Sequence, residues 1–159
     1  MVFPAETFSP EKTLRALESQ RCTALYGVPT MFIAQLEHEE FAKRDLSSLR
    51  TGVMAGSPCP LDVMKRVIDD MGAREITIGY GQTETSPLVT QTRTEDPIEL
   101  RVGSVGRPLP GLEVKIVDPH TGDSLEDGQP GELCVRGHAV MIGYYNQPDE
   151  TAPVIAQDG

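Results

Sequence analysis

No run in this sequence is apolar for anything near the ~20 residues that a bilayer-spanning helix needs, and the first residues lack the basic-then-apolar order of a secretory signal. These absences predict a soluble globular chain of cytoplasmic type. Cysteine is scarce: Cys22, Cys59 and Cys134 are an odd number without CxxC spacing, which argues against both a disulfide framework and a zinc site. Basic residues are few, 14 against 24 acidic ones, for a formal charge of −10. This argues against nucleic acid as a partner, because phosphate binding needs a basic surface. The deficit is uneven, with eleven acidic and four basic residues from Asp96 onward, and it predicts a solvated acidic face there, with a docking surface as the alternative. The three histidines, His38, His120 and His138, have neither ligand nor triad spacing, and no Walker-type phosphate loop occurs.

Two composition regimes divide the chain near Thr92. Before it, apolar strands alternate with helical patterns, which predicts βαβ units and a parallel sheet. Ser9 is placed to cap a helix that carries Leu14 and Leu17, with Pro10 in its first turn. A strand is predicted from Cys22 to Val28, and Thr30 is positioned to cap a second helix through Met31, Phe32, Ile33 and Leu36. Leu49 to Ala55 reads as a strand, Pro60 opens a helix with Leu61, Met64, Val67, Ile68 and Met71 on one face, and Gly72 marks its end. Glu75 to Gly79 is the next strand. From Glu95 on, the Gly- and Pro-rich sequence predicts short strands joined by tight turns, among them Leu112 to Val117 and Glu132 to Arg136. The fold class is thus α/β, a partial parallel-sheet βαβ subdomain over 1–92 followed by a β-rich subdomain of short strands over 93–159.

If the three early strands run parallel, their C-terminal ends share one edge of the sheet, where open α/β sheets bind ligands. That edge would gather Val28-Pro29-Thr30, Gly56-Ser57-Pro58 and Gly79-Tyr80-Gly81. The third turn belongs to the most informative run, Ile78-Gly79-Tyr80-Gly81-Gln82-Thr83-Glu84-Thr85-Ser86-Pro87. Tyr80, between glycines that let the backbone turn, offers a ring to a purine; Thr83 offers a hydroxyl to a phosphate oxygen; Glu84 offers a carboxylate to a hard cation. Cys59 is near this crevice, where a small helix-capping residue and a thiol activated by a helix N-terminus are both open readings.

Further segments extend the pattern. Gly131-Glu132-Leu133-Cys134-Val135-Arg136-Gly137 is followed by Met141-Ile142-Gly143-Tyr144-Tyr145-Asn146 and by Pro148-Asp149-Glu150-Thr151. These resemble the Gly-Glu-Leu-x-Val-x-Gly and Gly-Tyr-x-x-x-Pro-x-x-Thr segments of the adenylate-forming (AMP-binding) enzymes. Val102 to Gly111 resembles that family's Gly-x-Val-Gly-x-Pro-x-Pro-Gly linker, and Ala55-Gly56-Ser57-Pro58 its Gly-Gly-Ala-Pro turn. The resemblance covers essentially the whole chain, and it implies that the β-rich part over 93–159 is a small antiparallel β-barrel-like subdomain. It implies that Tyr80 stacks on adenine, that Thr83 contacts the α-phosphate, and that Glu84 ligates Mg²⁺. Thr83 and Glu84 are then the catalytic candidates. Gly56, Ser57, Pro58, Gly79, Tyr80, Gly81 and Thr83 are the nucleotide-binding candidates, with Gly79 also lining the acyl channel. Ser57 stands where many relatives have alanine. The segment from Gly131 to Gly137 alternates as a packed strand should and is read as architecture.

Other family features are missing. No Ser/Thr/Gly-rich loop ends in Pro-Lys-Gly, and Gln157-Asp158-Gly159 stops where the family's ribose-binding aspartate motif would follow; Asp158 is not that aspartate. The expectation is an internal piece of an acyl-CoA synthetase, inactive alone, whose parent uses ATP, Mg²⁺ and coenzyme A to activate a small carboxylate. The run from Gly79 to Pro87 resembles fatty- or aryl-acyl-CoA synthetases, and a medium-chain fatty acid is the leading substrate. The alternatives are an amino-acid- or aryl-acid-activating adenylation domain and a non-catalytic relic that binds a nucleotide or a partner protein.

Overall fold

The structure is a computed structural model that describes residues 1–155; the chain end at Gln157-Asp158-Gly159 lies outside the described residues. Its contacts divide the chain into two units, the first made of residues 1–80 and 91–106, the second of residues 81–90 and 107–159.

The first unit is built on a parallel sheet. Strands β1 (Ala24–Gly27), β2 (Thr51–Ala55) and β3 (Glu75–Tyr80) pair in parallel, with Gly27 opposite Met54 and Ala55 opposite Gly79. The Gln91 end of β4 (Thr90–Gln91) follows on the far side of β3, where the Thr92 amide donates to the Ile78 carbonyl at 2.9 Å and the Ile78 amide to Thr92 Oγ1 at 2.8 Å. Helices α1 (Pro10–Ser19), α2 (Pro29–Leu36), α3 (Leu61–Asp69) and α4 (Ile98–Gly103) pack as successive neighbours. The core joins Leu14 and Leu17 of α1, Phe32 and Leu36 of α2, Val63, Met64 and Val67 of α3, and Leu25, Met54, Ile76 and Ile78 of the sheet.

Local chemistry explains the helix starts. Ser9 Oγ accepts the Lys12 amide at 3.3 Å and Pro10 sets the first φ of α1, as expected. Helix α2 begins earlier than the sequence suggests. Pro29 occupies its first turn behind Val28, so Thr30 lies inside the helix rather than capping it; proline's fixed φ and missing N–H suit the first helical position without a side-chain cap. On α3 the buried stripe is Val63, Met64 and Val67, continued by Met71, while Leu61 and Ile68 are half-exposed. Helix α4 is absent from the sequence reading, because the residue it buries most deeply is Arg101, and a charged residue on the inner face hides the apolar period. The Arg101 guanidinium sits among main-chain carbonyls. Nε donates to Asp96 at 2.9 Å, Nη1 to Ile76 at 2.9 Å and Arg74 at 3.1 Å, and Nη2 to Thr94 at 2.5 Å. The side chain thereby ties α4 to the chain entering β3 and to the loop that precedes α4.

The second unit contains β5 (Arg107–Pro108), the antiparallel pair β6 (Leu112–Val117) and β7 (Glu132–Gly137), and the short helix α5 (Pro148–Thr151). Leu112 pairs with Gly137 and Val117 with Glu132, and the buried ends of β6 are Leu112 and Val117. The period-two alternation of 112–117 forms the strand it predicts. A parallel-rich sheet with a separate antiparallel one is the mixed α/β class expected.

Candidate functional site

In the first unit, the parallel register brings the C-terminal ends of β1, β2 and β3 to one edge of the sheet. The turns that leave them carry Val28 and Pro29, Gly56 to Pro58, and the end of β3 at Gly79 and Tyr80. Gly56, Ser57 and Pro58 are exposed, Gly79 is buried beside Ala55, and Tyr80 is half-buried. Gly56 has φ +87°, and a Cβ built on it would lie 3.2 Å from Val28 Cγ1. The first two turns therefore adjoin, and a side chain at Gly56 would be strained in backbone and crowded at once. The sequence-predicted candidates Gly56, Ser57, Pro58, Gly79 and Tyr80 all belong to this unit.

Cys59 follows the second turn and is buried, its Sγ 3.5 Å from Met54 Sδ. Burial, with Asp62 adding to it, pushes the thiol up to about 11. Loss of solvation outweighs the pull of the nearby helix terminus, so an activated thiol is not what this position provides.

The candidates Gly81, Thr83 and Glu84 belong to the second unit. Residues Thr83 to Thr85 form one 3-10 turn. Its shape is set from within: the Gln82 amide donates to Thr85 Oγ1 at 3.2 Å, and the buried Thr85 hydroxyl donates to the Gln82 carbonyl at 3.0 Å. Thr85 is thus committed to the turn, and Ser86 leaves it in the left-handed region at φ 52°. Gly81 is where this loop closes on itself. A Cβ there would lie 2.0 Å from the Pro87 carbonyl oxygen, so only glycine allows the approach.

Thr83 is exposed and Glu84 half-exposed. The Tyr144 hydroxyl donates to Glu84 Oε1 at 2.6 Å. That hydrogen bond, joined by one from Glu84's own backbone, holds its carboxyl below the usual carboxylate range, and the same bond pushes the Tyr144 phenol up. Glu84 is therefore the ionised partner at neutral pH. Among the described residues no group of three or more His, Cys, Asp or Glu side chains gathers to cage a metal. One ionised, accessible carboxylate does suit Mg²⁺, which keeps its waters and is commonly bound through one or two carboxylates plus substrate phosphates.

In the sequence Tyr144 stands only as part of a recognisable segment, and Glu84 lies 60 residues earlier. The Gly-Tyr pair was the available signal, but nothing local says what its phenol reaches.

A family model described as AMP-binding enzyme matches residues 1–145. The protein YngI of Bacillus subtilis (strain 168) is 54% identical over 99% of this chain and 29% of its own length. Acyl-CoA ligase SID4 of Ajellomyces capsulatus is 44% identical over 99% of this chain and 27% of its own. The mitochondrial medium-chain acyl-CoA ligase ACSF2 of Bos taurus is 40% identical over 99% and 26%. The chain thus spans under a third of the length of these curated relatives. Among solved structures, the amide bond synthetase McbA from Marinactinospora thermotolerans superposes with a TM-score of 0.85 at 34% identity, covering 96% of this chain and 31% of that one.

Proposed function

The chain belongs to the AMP-binding enzyme family, and on that premise we propose that it is part of an ATP-dependent acyl-CoA synthetase acting on a small carboxylic acid, with a medium-chain fatty acid as the leading class. The observation that carries this reading is the parallel edge where the ends of β1, β2 and β3 deliver Val28-Pro29, Gly56 to Pro58 and Gly79-Tyr80. The names of the acyl-CoA ligases SID4 and ACSF2 support the thioester product, and the latter supports the chain length. A cytoplasmic setting is part of the proposal; no described helix is long and apolar enough to cross a membrane.

In this reading an oxygen of the acid attacks the α-phosphorus of ATP, the bond to pyrophosphate breaks, and acyl-AMP forms. The sulfur of coenzyme A then attacks the acyl carbonyl, and AMP leaves with the bonding pair. Tyr80 stacks on adenine, which Gly56, Ser57 and Pro58 border. Gly79 lines the acyl channel with bare backbone, and Gly81 lets the chain turn toward Thr83, whose hydroxyl donates to an α-phosphate oxygen. Glu84 would hold Mg²⁺, which when bound offsets the charge of the phosphates. The work of these residues is to position reactants and favour the developing charge. The chain holds no Ser/Thr/Gly-rich loop ending in Pro-Lys-Gly, so the 159 residues alone are expected to turn nothing over.

The test is acid-dependent ATP–pyrophosphate exchange by the full-length protein carrying this chain, across fatty, aryl and amino acids, with Tyr80→Ala and Glu84→Ala beside it. Exchange with medium-chain fatty acids that falls about 100-fold in both variants, followed by thioester on adding coenzyme A, supports the reading. The name of the amide bond synthetase McbA is the reason to offer an amine acceptor in parallel: amide in place of thioester would overturn the acyl-CoA assignment and keep adenylation. Absence of exchange with every acid would overturn both.

A further inference from the structure

Glu84 is gripped at two points by one segment. The Met141 amide donates to the Glu84 carbonyl at 2.8 Å, and the Tyr144 hydroxyl donates to its Oε1 at 2.6 Å. That segment is itself braced. Thr151 Oγ1 accepts the Tyr144 amide at 2.9 Å and donates to the Gln147 carbonyl at 2.8 Å, while Asn146 makes the intervening left-handed turn at φ 54°. Tyr144 is 37% exposed, and burying the rest of its ring is non-directional, so burial alone does not fix where the hydroxyl points. A glutamate on a surface turn has several rotamers to lose. The hydrogen bond from the phenol to Oε1 selects among them.

We propose that Tyr144 is a positioning residue for Glu84: its hydroxyl fixes the carboxylate so that the second oxygen faces a divalent cation, and Thr151 with Asn146 holds the phenol in place. The inference rests on the reading of Glu84 as the Mg²⁺ carboxylate. It gives the Gly143-Tyr144 to Thr151 segment a task at the site, through the carboxylate rather than through contact with substrate. Outer partners of this kind typically matter to metal affinity as much as to rate.

The experiment is a Mn²⁺ titration, followed by electron paramagnetic resonance, of the full-length protein carrying a non-hydrolysable ATP analogue. The proteins compared are the unaltered one, Tyr144→Phe, Thr151→Val, Glu84→Gln, and the Tyr144→Phe/Glu84→Gln pair. Tyr144→Phe keeps the ring and is expected to weaken Mn²⁺ about tenfold, with unchanged melting temperature and unchanged metal-free binding of the analogue. Thr151→Val should shift Mn²⁺ affinity the same way by less. In exchange assays the Mg²⁺ concentration for half-maximal rate should rise in Tyr144→Phe while KM for the acid stays put, a split that loss of packing would not produce. The double variant should match Glu84→Gln. If Tyr144→Phe binds Mn²⁺ like the unaltered protein while Glu84→Gln does not, the positioning role is overturned and the metal-carboxylate reading stands. If Glu84→Gln binds Mn²⁺ normally, both fall.

Discussion

Replacing Arg101 by methionine keeps most of the stem volume and removes the guanidinium from four carbonyls. Bonds from a charged donor contribute about 1.5–3 kcal/mol each, but taking the cation out of water offsets much of that, so the four do not add. The loss is better judged from the acceptors left behind. The bonds to Ile76 and Asp96 are buried, those to Arg74 and Thr94 partly so. Two buried carbonyls without a donor cost about 1–3 kcal/mol each, and water reaches the others, giving about 3–4 kcal/mol in all. Because Ile76 lies in β3, the effect should appear as local opening. Hydrogen exchange of the β3 and α4 amides, measured by mass spectrometry on the full-length protein, should accelerate at least about 100-fold in Arg101→Met, with α1 and β1 much less affected. Arg101→Lys, which reaches fewer acceptors, should fall between. Less than a threefold change at β3 would refute the argument and reduce Arg101 to a tolerated buried charge.

Two further outcomes follow from the site. Cys59, buried and with its thiol pushed up to about 11, should resist iodoacetamide at pH 8 and gain reactivity only as pH approaches that value; peptide mapping should find Cys22 and Cys134, both partly exposed, labelled first. Gly81→Ala would place a methyl 2.0 Å from the Pro87 carbonyl and force the 81–88 loop open, so pyrophosphate exchange should drop about 100-fold while the circular dichroism spectrum is unchanged.

Much of the parallel unit was legible because its signals are local. Ser9 and Pro10 mark a helix start through one turn of backbone, and Leu112 to Val117 mark a strand through a two-residue period. The parallel edge followed from topology alone, since three strands joined by helices must leave their C-terminal ends together. What escaped the sequence depends on partners far away in the chain. Arg101 reads as a surface charge until Arg74 and Ile76 surround it, and helix α4 vanished with it. Cys59 illustrates a contest of two terms: the helix terminus is visible in sequence, the burial that wins is not. Tyr144 and Glu84 each stand in a recognisable segment, yet only the fold joins them.

The chain passes between its two units three times, at Tyr80, Thr90 and Gly106, and this sets an order on the ribosome. By residue 106 every residue of the first unit has been added to the chain. The loop carrying Glu84 is made earlier, yet its two anchors, Met141 and Tyr144, come later. At about 5–20 residues per second, the 38 residues from Arg107 to Tyr144 take about 2–8 s to add. During that interval Glu84 is already in the chain and the phenol that donates to it in the folded protein is not. The strands of the sheet edge are therefore complete before the two anchors of Glu84 are added.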